Sequence, residues 1–204
     1  MKFLKENSYD IVKLYINQIG IAIFSMALYS AIEIALPSDF RWGTELEAII
    51  SALAILFYCS LIYVATWEFG AKDRIKIDGG RMTRKPYKGL LIGTLANVPN
   101  FILTGIALIC MGIFFASGAE GFKAVFSILN LLFGLLESMY LGIIIAVFPL
   151  AEANADWIHF YRTIAYFAMP LIPIAVSHLG YALGERNFRI ASIFSQKSAQ
   201  NSKK

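Results

Sequence analysis

Charge is what this sequence has least of. Asp, Glu, Lys and Arg make up 16% of its 204 residues, against 58% hydrophobic residues. Soluble globular domains carry about 25% charged residues. The mean hydropathy is +0.63. This balance argues against a soluble enzyme domain, a disordered chain, a disulfide scaffold and a nucleic-acid binder. Cysteine is nearly missing too. Cys59 and Cys110 both sit inside apolar runs, so they read as small hydrophobes and not as a disulfide or metal pair. The two histidines, His159 and His178, are not followed by Glu, so no H-E-x-x-H metal motif exists. No Gly-flanked serine points to a hydrolase. Haem, iron–sulfur and nucleotide signatures are missing as well. The expectation is a protein with no enzymatic activity, no cofactor and no metal site.

Long uncharged runs are what the chain does have. Five stand out. They are Leu14–Ile32 (continuing past Glu33 to Leu36), Ala48–Trp67, Gly89–Ala119, Ala124–Ala151 (broken once, by Glu137) and Thr163–Gly184. A hydrocarbon core of about 30 Å needs roughly 20 helical residues, and each run is long enough. None alternates with the two-residue period of barrel strands. In lipid a helix satisfies its own backbone groups, which decides for helices. The predicted fold is therefore all-α, a polytopic membrane helical bundle with five long hydrophobic segments. It forms a single integral membrane domain over residues 1–204, with a disordered polar tail at 195–204. The first run exceeds the length of a signal-peptide core, and no small-x-small site precedes Pro37, so it reads as a retained anchor.

Where the few charges fall sets the expected topology. Residues 71–88 hold seven Lys or Arg against Asp73 and Asp78. The positive-inside rule places this short loop in the cytoplasm. Two spans precede it, so the N-terminus, with Lys2, Lys5 and Lys13, is cytoplasmic as well. The loop Pro37–Glu47 then faces outward, with Phe40 and Trp42 at its interface. Five simple crossings would leave the C-terminus outside. Yet the tail carries Arg186, Arg189, Lys197, Lys203 and Lys204, and Glu152–Arg162 carries two acids and one Arg. Parity and charge disagree. The fourth run is the suspect. Its polar positions Lys123, Ser127, Asn130, Gly134 and Glu137 step by four, three, four and three, which is one helix face. Such a helix lies in the outer interface, re-enters, or crosses with its polar stripe turned inward. A cytoplasmic C-terminus requires that it not cross simply.

The 71–88 loop carries Lys72, Arg74, Lys76, Arg81, Arg84, Lys85 and Lys88. Ile75 and Ile77 alternate with Arg74 and Lys76, and Asp78-Gly79 is a two-residue turn signal. The expected local structure is a small basic β-hairpin or a tight turn. Its cations either only orient the chain, or bind anionic lipid at about 1 kcal/mol each, or dock a cytoplasmic or membrane protein partner.

Polar groups at membrane depth are the other candidates. An acid at the centre of a spanning helix costs roughly 2.5–3.5 kcal/mol on the insertion scale. Glu137 reads as a proton or cation site if its segment is buried, and as a solvated side chain if the segment lies at the interface. Asn97-Val-Pro-Asn100 places two amides on one face beside Pro99, which frees a carbonyl. Asn130, on the polar stripe of the fourth run, and His178 complete the set. Pro170 and Pro173 mark a second break. Transporters use interrupted helices to line a midplane site, although proline also kinks membrane helices without further purpose. Small residues recur every four positions at Ala27, Ala31 and Ala35, at Gly89 and Gly93, and at Gly180 and Gly184. That spacing predicts close helix contact within the chain or between copies.

The run Trp67-Glu-Phe-Gly-Ala-Lys-Asp-Arg74, with Asp78-Gly-Gly-Arg81, Lys88-Gly89, Asn97-Val-Pro-Asn100 and Met139-Tyr-Leu-Gly142, resembles small uncharacterised multi-span bacterial membrane proteins. The resemblance implies a plasma (inner) membrane location and no activity. Two function classes stay open. One is a transport-related membrane subunit or small carrier. The other is a non-catalytic membrane partner, regulator or assembly factor that docks through the basic loop.

Overall fold

The structure is a computed structural model. It describes residues 2–35, 43–149 and 155–188, without the side chains of residues 2, 33 and 43. Phe40, Trp42, the acid at 152 and the whole polar tail with its 195–204 segment lie outside the described residues. Among the described residues seven α-helices follow in order. They are α1 (Lys2–Ala35), α2 (Gly43–Asp78), α3 (Lys88–Ser117), α4 (Glu120–Leu136), α5 (Leu141–Val147), α6 (Ala155–Ala168) and α7 (Leu171–Glu185). A one-turn 3₁₀ helix, Ser138–Tyr140, joins α4 to α5. Among the described residues there is no strand. The molecule is an all-helical bundle.

Among the described residues four elements are by themselves long and apolar enough to cross a bilayer: α1, α2, α3, and α6 with α7 as one 31-residue run; the bent pair of the fourth run passes the same test only when taken together. Their outward faces carry Ile23, Phe24, Leu53, Phe57 and Ile109, all exposed. Water would penalise such a surface; hydrocarbon does not. The interior is filled by large side chains, among them Tyr58, Ile62, Ile92, Met111, Phe133 and Tyr181. Pro99 does not interrupt α3, which runs on to Ser117. The break in the fifth run lies at Met169-Pro170, and Pro173 sits in the first turn of α7, where the missing N–H costs nothing.

The 71–88 segment departs from expectation. No hairpin forms, because α2 continues through Asp78. Once some 20 apolar residues have nucleated a helix, each added residue propagates it cheaply. At 1.5 Å per residue the 36 residues of α2 span about 54 Å, well beyond a hydrocarbon core. The glycines end it, one residue later than the turn signal suggested. Gly80 takes φ +68°, and its N–H bonds the Ile77 carbonyl while the Arg81 N–H bonds that of Lys76. This is a glycine C-cap that needs the left-handed conformation.

Chain ends and loops sort to two poles. Lys13 of α1 pairs with Glu68 of α2 at 3.7 Å. Arg84 pairs with Glu185 at the end of α7. The Trp67 indole N–H donates to the Phe188 carbonyl at 2.8 Å. The start of α1, the end of α2, the start of α3 and the end of α7 therefore share one pole, the basic one. At the opposite pole Lys123 of α4 meets Asp156 of α6 at 2.9 Å, and Phe115 stacks on Trp157 at 4.2 Å.

The fourth run is the exception. Its helices α4 and 138–147 are bent by 83°. Both of its ends meet the first two turns of α6. Lys123 near its start pairs with Asp156. The Phe148 carbonyl just past its end accepts from Arg162 Nε and Nη2 at 2.9 and 2.6 Å. Asp156 and Arg162 lie about 9 Å apart along a helix, whereas a crossing would separate the two ends by about 30 Å. The segment enters and leaves near one pole. The fourth run thus begins and ends near one pole, and α7 ends at the basic pole.

Close helix contact is made by glycine. A Cβ on Gly180 would collide with Thr66 and the Tyr63 carbonyl, and one on Gly184 with the Trp67 carbonyl. The spaced glycines of α7 thus serve packing within the chain. Ala27, Ala31 and Ala35 instead face outward.

Candidate functional site

The turn between α4 and α5 leaves backbone groups unpaired where lipid has none to offer. Side chains supply them. Gln18 of α1 donates to the Leu136 carbonyl at 3.4 Å. The Ser51 hydroxyl of α2 donates to the Met139 carbonyl at 2.6 Å. The Ser138 hydroxyl donates to the Ala22 carbonyl at 2.6 Å. The Gly142 N–H donates to the Tyr29 hydroxyl at 3.4 Å. Gly142 rests directly on the Glu47 carbonyl, where a side chain would not fit. The tip of the re-entrant segment is pinned to α1 and α2.

Glu137 occupies this tip. It is 0% exposed, and neither carboxyl oxygen has a hydrogen-bond partner among the described residues. Tyr15, Tyr58, Tyr140 and Tyr166 lie within its electrostatic range. The Ser25 hydroxyl, fully buried on α1, is likewise unpartnered.

The other intramembrane candidates do not join Glu137 in one cavity. Asn97 donates to the Gly93 carbonyl at 2.8 Å, Asn100 to Asn97 Oδ1 at 3.4 Å, and Thr104 to the Asn100 carbonyl at 2.7 Å. They form a buried polar ladder along α3. Asn130 lines two cavities, of about 300 Å³ and 90 Å³, neither of which includes Asn97, Asn100 or Glu137. His178 is half-buried and stacks on Tyr87 at 6.5 Å, its Nδ1 without a hydrogen-bond partner among the described residues.

At the basic pole one buried carboxylate organises the surroundings. Asp73 is 2% exposed. It accepts from Lys88 at 2.6 Å, Lys76 at 3.2 Å and the Tyr181 hydroxyl at 3.0 Å. It thereby clamps α2, α3 and α7 together. Arg74 pairs with Asp78 at 3.4 Å, and Arg84 pairs with Glu185. Of the loop cations, Lys72, Arg81 and Lys85 are exposed and have no acidic partner among the described residues.

Sequence reasoning missed Asp73, Gln18, Ser51 and Arg162. Gln18 carried a signal, as an amide within an apolar run. The partners of Asp73 did not, since they lie 15 and 108 residues away. No protein-family model, no curated protein and no solved structure matches this chain. Its helices are those of a multi-pass membrane protein.

Proposed function

We propose that this protein is a transport-related membrane subunit or small carrier, with the Glu137 carboxyl as its proton or cation site. The observation that carries the reading is the buried, unpartnered carboxyl at a re-entrant tip. A bare charge there is costly, and such residues mark proton and ion pathways. Glu137 holds no neighbour in place. The hydrogen bonds that pin the tip run through Gln18, Ser51, Ser138 and Tyr29. The surrounding frame is fixed and the carboxyl is left free, as a working group requires. The Lys and Arg excess supports a cytoplasmic basic pole. The N-terminus and the end of α7 are then cytoplasmic, and the re-entrant segment enters from outside a plasma (inner) membrane.

The reading as a partner, regulator or assembly factor is supported less. Arg74, Lys76, Arg84 and Lys88 are spent on contacts within the chain, which leaves three exposed loop cations for docking. The test is a proton flux. In proteoliposomes loaded with a pH-sensitive dye, the protein relaxes an imposed pH gradient and Glu137→Gln does not. Equal flux with the folded variant would refute Glu137 as the site.

A further inference from the structure

We infer that the cavity enclosed by α4, α5 and α6 is a binding site for one small monovalent anion of halide or formate size. The cavity is about 90 Å³ and is lined by Asn130, His159, Arg162 and Tyr166 on its polar side. Ile144, Ile145 and Leu141 close the rest. No Asp or Glu lines it. The nearest acid on α6, Asp156, is engaged by Lys123.

Arg162 has no carboxylate partner among the described residues. Two of its nitrogens donate to the Phe148 carbonyl, and a guanidinium has five N–H donors in a fixed fork. Donors remain, and so does the whole positive charge. Half-buried on the apolar α6–α7 run, such a cation calls for a counter-charge. The second observation is independent. Tyr166 lines the same cavity and is 4% exposed, and its hydroxyl has no hydrogen-bond partner among the described residues. A buried hydroxyl left unpaired costs about 1–3 kcal/mol, and an anion would accept its hydrogen bond. The Asn130 carboxamide adds an N–H₂ donor.

Arg162 repels metal cations. One guanidinium balances one negative charge, so a divalent anion leaves a charge uncompensated in a poorly solvated place. The volume holds about three waters at about 30 Å³ each, enough for chloride or formate and too small for a sugar acid. Asn130, Gly134 and Leu141 also border the 300 Å³ cleft lined by Tyr29, Ser30 and Ser138, so the site adjoins a second space between α1 and α4. Glu137 does not line this cavity, although it lies within electrostatic range of Tyr166.

The test is chloride-35 NMR line broadening by the full chain in detergent prepared without chloride. The expected result is excess broadening, competed away by bromide and by formate but not by gluconate. Stronger competition by bromide marks an inorganic halide as the source, and stronger competition by formate marks an organic carboxylate. Tyr166→Phe deletes one unpartnered hydroxyl and keeps the ring that packs on Phe133 at 5.1 Å. It should weaken chloride binding about tenfold, as loss of a hydrogen bond to a charge does. Arg162→Gln should abolish it. Should Arg162→Gln fail to fold for want of its Phe148 contact, the Tyr166→Phe comparison decides. No excess broadening, or broadening unchanged in Tyr166→Phe, overturns the site.

Discussion

The molecule buries two carboxylates in contrasting ways. Asp73 at the basic pole has two lysines and a tyrosine hydroxyl around it. Glu137 at the re-entrant tip has no hydrogen-bond partner among the described residues. The first holds three helices together and is saturated. The second holds nothing and is open. An acid that exists to stabilise a fold is surrounded by donors, because an unpaired buried charge destabilises it. An acid left open in a well-pinned frame is held there for another purpose. The backbone of the tip is pinned by side chains of α1 and α2; the Glu137 carboxyl is not.

Several substitutions sharpen or break this contrast. The largest effect should come at the pole. Lys88→Met leaves Asp73 with the exposed Lys76 as its one cation, and should cost about 3–5 kcal/mol, read as a lower unfolding midpoint in detergent. Wild-type stability would mean that the clamp is not structural. Gly142→Val attacks the frame of the tip while leaving its carboxyl alone. Overpacking against the Glu47 carbonyl should cost about 1–3 kcal/mol and lower proton flux with it, since the tip loses its seat. Unaltered thermal unfolding would place the tip elsewhere. The smallest effect belongs to the free loop cations. Lys72→Gln and Lys85→Gln should change stability by less than about 0.5 kcal/mol. A large loss of stability would show that these side chains have partners.

The bundle was legible because lipid permits few structures, and five charge-poor runs admit little else. The irregular fourth segment was legible for a related reason. Lys123, Ser127, Asn130, Gly134 and Glu137 form a polar stripe that a simple lipid-facing span would not carry, and the structure bends that run by 83°. Of the two local structures expected at 71–88, the hairpin was misread, because a four-residue alternation at Arg74–Ile77 fits a strand and the end of a long helix equally well; the tight turn does form, at Gly79–Gly80. Its glycine terminus was readable, since left-handed backbone is local. The clamp around Asp73 was not, since Tyr181 reaches it only after α7 has packed into α2. The grouping of Asn97, Asn100 and Asn130 with Glu137 did not form. Side chains on different helices of a bundle share a cavity only if rotation about each axis allows it, and the Asn97 and Asn100 amides turn to carbonyls and to each other within α3.

The most direct test is a matched pair of carboxyl-to-carboxamide substitutions, Asp73→Asn and Glu137→Gln, unfolded side by side in one detergent. Asp73→Asn leaves Lys88 buried without a counter-charge and should cost about 3 kcal/mol or more. Glu137→Gln removes no hydrogen bond and should change stability by less than about 1 kcal/mol. Equal losses for the two variants would contradict the account, because they would make Glu137 a structural acid like Asp73.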